Sequence, residues 1–306
     1  MANEILYSDL VTNGGAVAEV LSALVVEALY DPADLSSLAT RVPFDSIGSS
    51  TMAVTIDQAP IGFTGPLAEG TATSNTGYTT SEFQLAVAKY SLAYEMTDLV
   101  GIAGGPISLE SIVRKLERGV GLTLTDMITS LFPALSNNVG TTTSALVIDD
   151  LYSAQFQLNS SNAQGPFNVV LSPTQMNNVR TGLRIEVGAA QFQEPQAEMM
   201  ATKGAIGFQG SWNGLNFFQS DSCVLANANA DRVGAMFDSG CWAYTMANVG
   251  RMQGHIPAQN VLVNAGDLIV EMIRDGYGGQ TAALATIYAA VAEVEDARGV
   301  SITTVA

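Results

Sequence analysis

The 306-residue chain is 47% hydrophobic, enough to bury a sizeable core, and only 13% of it is charged, which excludes a disordered protein. Its 12 basic and 29 acidic residues give a formal net charge of -17, which repels phosphate backbones and argues against tight nucleic-acid binding. Two cysteines, Cys223 and Cys241, are too few for a disulfide framework and lack zinc-type spacing, so both are expected as buried small hydrophobes.

Residues 1-48 read as an N-terminal arm: Val17, Leu21, Leu24, Val25 and Leu29 recur at helical spacing until Asp31-Pro32. The apolar run Ala16 to Tyr30 is broken by Glu19 and Glu27 and has no basic flank, which predicts neither a signal peptide nor a membrane span and places synthesis in the cytoplasm. From Thr51 to Asp57, Met52, Val54 and Ile56 alternate with smaller or polar residues in the period of a strand, and Phe83 to Lys89, carrying Phe83, Leu85 and Val87, supplies the return. The Gly-, Thr-, Ser- and Asn-rich connection from Pro60 to Ser81 is far longer than a hairpin loop, so the pair is expected to form an extended ribbon with a long tip that includes Phe63. Tyr90, Leu92, Tyr94 and Met96 then alternate in the opposite phase, which requires a bulge or twist near Lys89.

Gly101, Gly104 and Gly105 mark a hinge before the strongest helical pattern in the chain, Ser108 to Leu131. Ser108 can cap it, Glu110 and Arg114 are spaced to pair, and Leu109, Ile112, Val113, Leu116, Val120, Leu124, Ile128 and Leu131 trace one stripe until Pro133. Gly119 and Gly121 inside it cost about 1 kcal/mol each against Ala, which predicts that another backbone crosses there.

Beyond a polar linker, Ser136 to Ser144, the pattern is α/β: a helix near Asp149 to Leu158, then the strand Phe167 to Leu171. Ser172-Pro173-Thr174-Gln175 is a capping box with Pro at the first helical position, opening a helix to about Leu183. Trp212-Asn213-Gly214 turns into the strand Leu215 to Gln219, followed by the strand Arg232 to Phe237 and the segment Cys241 to Tyr244. Near the end, the strand Asp267 to Arg274 meets a Gly-rich turn, Asp275 to Gly279. The Ala-rich stretch that follows, to Asp296, fits a strand or, through Leu284, Ile287, Tyr288 and Val291, a helix.

The residues that could carry chemistry each have a plainer use. With one histidine, His255, flanked by Gly254, Ile256 and Pro257, neither a Ser/His/Asp nor a Cys/His arrangement can be assembled locally. Asp149-Asp150 suits a helix N-terminus better than a metal. The glycines at 101, 104 and 105 lack the Lys-Ser/Thr pair of a phosphate loop, and Gly276-Tyr277-Gly278-Gly279 lacks dinucleotide spacing. Phe63, Trp212 and Trp242 have no basic patch around them and are expected in a core or an interface. No catalytic residue, metal ligand or cofactor is expected.

The order of these parts resembles the Hong Kong 97-type fold of tailed-phage major capsid proteins. Asn168-Val169-Val170-Leu171-Ser172-Pro173-Thr174-Gln175 is similar to the strand and helix of that family's axial domain, and Asp267 to Asp296 to its closing hairpin. The resemblance implies an α+β fold with an N-terminal arm (1-48), an extended β-loop (49-94), a peripheral domain with a long spine helix (95-144 and 263-306) and an axial α/β domain (145-262). It also implies a structural protein of the virion capsid, assembled in the host cytoplasm as pentamers and hexamers of an icosahedral head. Packaged DNA would be enclosed without sequence-specific binding. Portal, scaffolding and decoration proteins would be partners, with no membrane. Met52, Val54, Ile56, Phe63, Phe83, Leu85 and Val87 are the candidate contacts between subunits; Gly48, Gly101, Gly104 and Gly105 are the candidate hinges. Some family members cross-link through a loop lysine. Thr51 to Ala88 contains none, so no isopeptide cross-link is expected. An encapsulin-like shell, and more remotely a surface-layer adhesin, are the rival readings.

Overall fold

The computed structural model describes residues 4–5, 35–44, 49–57, 77–97, 109–163, 165–184, 208–247, 261–265, 268–276 and 278–306. The stripe from Val17 to Leu29, the ribbon tip with Phe63, His255, the Ser108 cap and the hinge candidates Gly48, Gly101, Gly104 and Gly105 lie outside these residues.

Two seven-stranded sheets and a separate two-stranded ribbon organise the chain. The first sheet contains β1 (Glu4–Ile5), β2 (Thr40–Arg41), β5 (Ala88–Thr97), β12 (Trp242–Met246), β13 (Val261–Ala265), β14 (Leu268–Asp275) and β15 (Gln280–Glu293). The Ala-rich stretch is thus a strand, and β15 is the spine of its sheet: β5 pairs along one side, β14 and then β12 along the other, all antiparallel. The realised period is two, because Ala283, Ala285, Ile287 and Ala289 are all buried beneath a helix. Short alanines on that face let the helix sit close to the sheet.

That helix is α1 (Leu109–Ser130), 22 residues and so roughly 33 Å long. Leu116 and Leu124 bury against β15, and Ile128 reaches a second core. A 3-10 turn, Phe132–Ala134, follows and contains Pro133, which has no N–H to continue the helix. Among the described residues no backbone crosses at Gly119: a Cβ at that position would meet Leu92 Cδ2, at an ordinary 3.6 Å. The glycine faces a small open groove instead.

The second sheet has the order β6-β16-β11-β7-β9-β8, with β10 beside β11. Its strands are β6 (Asn138–Val139), β7 (Phe167–Leu171), β8 (Phe208–Trp212), β9 (Leu215–Gln219), β10 (Val224–Ala226), β11 (Asp231–Phe237) and β16 (Gly299–Val305). Helices α2 (Ile148–Ser160) and α3 (Pro173–Gly182) contribute Leu151, Leu158, Met176 and Val179 to one core with this sheet. A further core joins the two sheets, where the rings of Phe132, Phe237 and Trp242 lie with centroids 5.9–6.1 Å apart.

The capping box forms as the sequence predicts: Gln175 N–H donates to Ser172 Oγ at 3.3 Å, and Ser172 N–H to Gln175 Oε1 at 3.0 Å. Gln175 does more, because its fully buried Nε2 also donates to the Arg232 and Ile302 carbonyls and to Thr304 Oγ1. One cap side chain therefore ties α3 to β11 and β16.

Strand pairing crosses the expected domain boundaries in several places. Residues 88–94, expected in the loop, belong to β5 of the first sheet; 242–246, expected in the axial unit, pair with β15; and 299–305, expected in the peripheral unit, pair with β11. Two of the chain's passages between the sheets lie at 238–241 and 294–298. These passages run side by side, with Asp238 N–H donating to Arg298 O at 3.2 Å and the Arg298 guanidinium to the Asp238 carboxylate at 3.0 Å.

Candidate assembly surfaces

The ribbon is β3 (Thr51–Ile56) paired antiparallel with β4 (Ser81–Ala86). Its register places Met52 opposite Leu85 and Val54 opposite Phe83, the apolar face that the alternating pattern predicts. Val87 interrupts the strand before β5 begins at Ala88, close to the phase change expected near Lys89. Val87 N–H still donates to Ser50 O at 2.8 Å, which holds the base of the ribbon shut. At the other end of the described ribbon, Tyr78 Oη donates to Asp57 Oδ1 at 2.5 Å, and this bond to a carboxylate raises the phenol's pKa.

The candidate contacts divide by burial. Met52, Val54, Ile56, Phe83 and Val87 are half-buried. Leu85 is different. It is fully buried, on a strand that contacts β15 as well as β3. Alternation alone could not separate Leu85 from Phe83.

Beside the ribbon's base, an open groove of about 250 Å³ lies between α1, β5 and β15, lined by Tyr90, Leu92, Leu116, Gly119, Val120 and Thr123 among others. Lys115 is exposed one turn before Gly119 on the same helix. A second apolar surface, unremarked in the sequence, lies on α2. Phe156 is 72% and Tyr152 46% exposed, one turn apart, while Leu151, Ala154 and Leu158 of the same helix are buried. Asp150 occupies the N-terminal role expected of the acidic pair, accepting from Val147 N–H at 3.2 Å.

The reactive groups are quiet. Burial pushes the Cys223 thiol up to about 12 and raises the Cys241 thiol further, so both stay protonated and unreactive at neutral pH. Trp242 is fully buried and Trp212 nearly so. Among the described residues no group of three or more His, Cys, Asp or Glu could hold a metal ion, and no helix is long and apolar enough to cross a membrane.

No family model and no curated protein matches the sequence. Solved structures do match the fold. The capsid of the cyanophage P-SCSP1u is similar at a TM-score of 0.67 and 10% identity, over 94% of this chain and 92% of the other. The capsid of Ralstonia phage GP4 is similar at 0.63 and 12%, over 93% and 94%. The SrpI encapsulin of Synechococcus elongatus PCC 7942 is similar at 0.57 and 11%, over 97% and 95%. The chain therefore has the α+β fold of these shell-forming proteins, along nearly its whole length.

Proposed function

We propose that this chain is the major capsid protein of a tailed bacteriophage, a structural subunit that assembles through pentamers and hexamers into an icosahedral head around double-stranded DNA. The observation that carries the reading is the ribbon: two strands whose apolar face, with Met52, Val54 and Phe83, is only half-buried among the described residues. In this reading the ribbon is the extended loop and α1 the spine helix. The first sheet builds the peripheral domain, and the second sheet with α2 and α3 the axial domain. Met52, Val54, Ile56, Phe83 and Val87 then complete their burial on a neighbouring subunit.

The segment from Thr51 to Ala88 has acidic Asp57, Glu69 and Glu82 but no Lys or Arg, so a neighbour's basic side chains would meet no like charge there. The net charge of -17 suits a wall along which packaged DNA moves without adhering. Portal, scaffolding and decoration proteins would be the further partners, and the host cytoplasm the place of assembly. Electron microscopy of the purified chain, alone and with a scaffolding protein, tests this: closed icosahedral shells with each ribbon lying on a neighbour are expected. A chain that stays monomeric under both conditions, or a ribbon folded back on its own subunit, overturns it.

The similarity to SrpI favours a second reading, an encapsulin-like compartment. The contents of particles from the native source separate the two: nuclease-protected double-stranded DNA supports a phage head, enclosed protein an encapsulin.

A further inference from the structure

Helices α2 and α3 form one layer over the second sheet, and their outer faces are opposite in charge. From Ile148 to Ser160, α2 has two aspartates and no basic residue; from Pro173 to Arg184, α3 and the turn after it have two arginines and no acid. On the outer face of α2, Asp149, Tyr152 and Phe156 are exposed; on that of α3, Arg180 and Arg184 are.

The α2 aromatics are also held in place. Tyr152 packs edge-on against the nearly buried Trp212, with centroids 5.4 Å apart, and Gln155 Oε1 accepts from Asn213 Nδ2 at 3.4 Å in the β8–β9 turn. That turn is itself stiff, because Asn213 and Gly214 take the left-handed φ values of 49° and 78° that a tight hairpin requires. Arg180 is braced too, donating to Gln209 Oε1 at 2.6 Å. A Phe left 72% in water on a braced helix is costly unless something covers it, and aromatics and arginines held rigid before contact are what strong interfaces concentrate.

We infer that the Asp149/Tyr152/Phe156 face of α2 in one copy docks against Arg180 and Arg184 of a second copy, head to tail. The guanidinium groups lie over the two rings, and Asp149 supplies a carboxylate for one of them. Docked head to tail, each copy uses its two faces on two different neighbours, a heterologous contact of the kind that closes rings instead of stopping at a dimer. Nucleic acid is a poor occupant of the α2 face, which has no cation to meet phosphate. The inference deepens the proposed function by naming the surface that closes each capsomer, and it rests on that reading.

Full-length Phe156→Asp and the double variant Arg180→Glu/Arg184→Glu test it, assembly being read by sedimentation velocity and folding by thermal melting. Each variant should melt as the parent does, since these side chains are exposed, yet lose assembled material about tenfold or more. Phe156→Cys/Arg184→Cys treated with a short bismaleimide should give a ladder of linked subunits on a denaturing gel, which neither single variant gives. The native thiols stay silent because both are buried. Assembly of Phe156→Asp at the parent's yield overturns the inference, and so does a ladder from Phe156→Cys alone, which would mean that two like faces meet. Shells from Phe156→Asp at that yield leave the capsid reading standing without this contact. A ladder from Phe156→Cys/Arg184→Cys, with a parent chain that never closes into shells, keeps the contact and removes the capsid reading.

Discussion

Val54 faces Phe83 across the two strands of the ribbon, and Val170 lies between Phe218 and Ala235 in the second sheet. The residue types are nearly the same, but the ribbon pair is half-exposed while Val170, Phe218 and Ala235 are completely buried. Cross-strand pairing thus fixes the geometry in both places and supplies stability in only one. A two-stranded sheet is marginal by itself, and the ribbon's apolar face stays half-exposed among the described residues.

Substitutions can break or sharpen that contrast. Trp242→Ala, in the core between the sheets, should cost about 4 kcal/mol and leave little folded protein at 37 °C, as circular dichroism on denaturant titration will show. Gln175→Leu should cost about 3 kcal/mol, because the Arg232 and Ile302 carbonyls, Thr304 Oγ1 and Ser172 N–H all lose a buried partner together. Gly119→Ala should raise stability by up to about 1 kcal/mol, seen as a higher denaturant midpoint at unchanged slope. A loss there would mean that the groove beside Leu92 is filled by something a methyl group displaces. Val54→Ser/Phe83→Ser should shift subunit stability least, by about 0.5 kcal/mol, yet abolish shells in the microscope. A large loss of subunit stability from that pair would erase the distinction between ribbon and core.

Most elements were legible because their causes are local. The alternation of Met52, Val54 and Ile56 is answered by Phe83 and Leu85 in the observed register, and the Ser-Pro-Thr-Gln box opens α3 where it should. The stripe from Leu116 to Ile128 marks a helix that ends within a residue of its expected stop. The aromatic face of α2 was missed although its signal was available: with Leu151, Ala154 and Leu158 assigned inward, helical geometry turns Tyr152 and Phe156 outward.

What the amino-acid order determined by itself is the identity of the pieces, since helical and strand periods, capping and turn chemistry act over a few residues. Tertiary structure alone decided which sheet each piece joins: β12 leaves the sheet of β11, and β16 leaves that of β15, because the chain crosses between sheets at 238–241 and 294–298, and pairing between distant strands leaves no local mark. It also decided that Ala283, Ala285, Ile287 and Ala289 form one face of a strand, where periodicity left a helix open, because only the helix packed above them selects the period of two. And it separated Leu85 from Phe83, two residues alike in type and phase on one strand, by burying the first completely and leaving the second half-exposed.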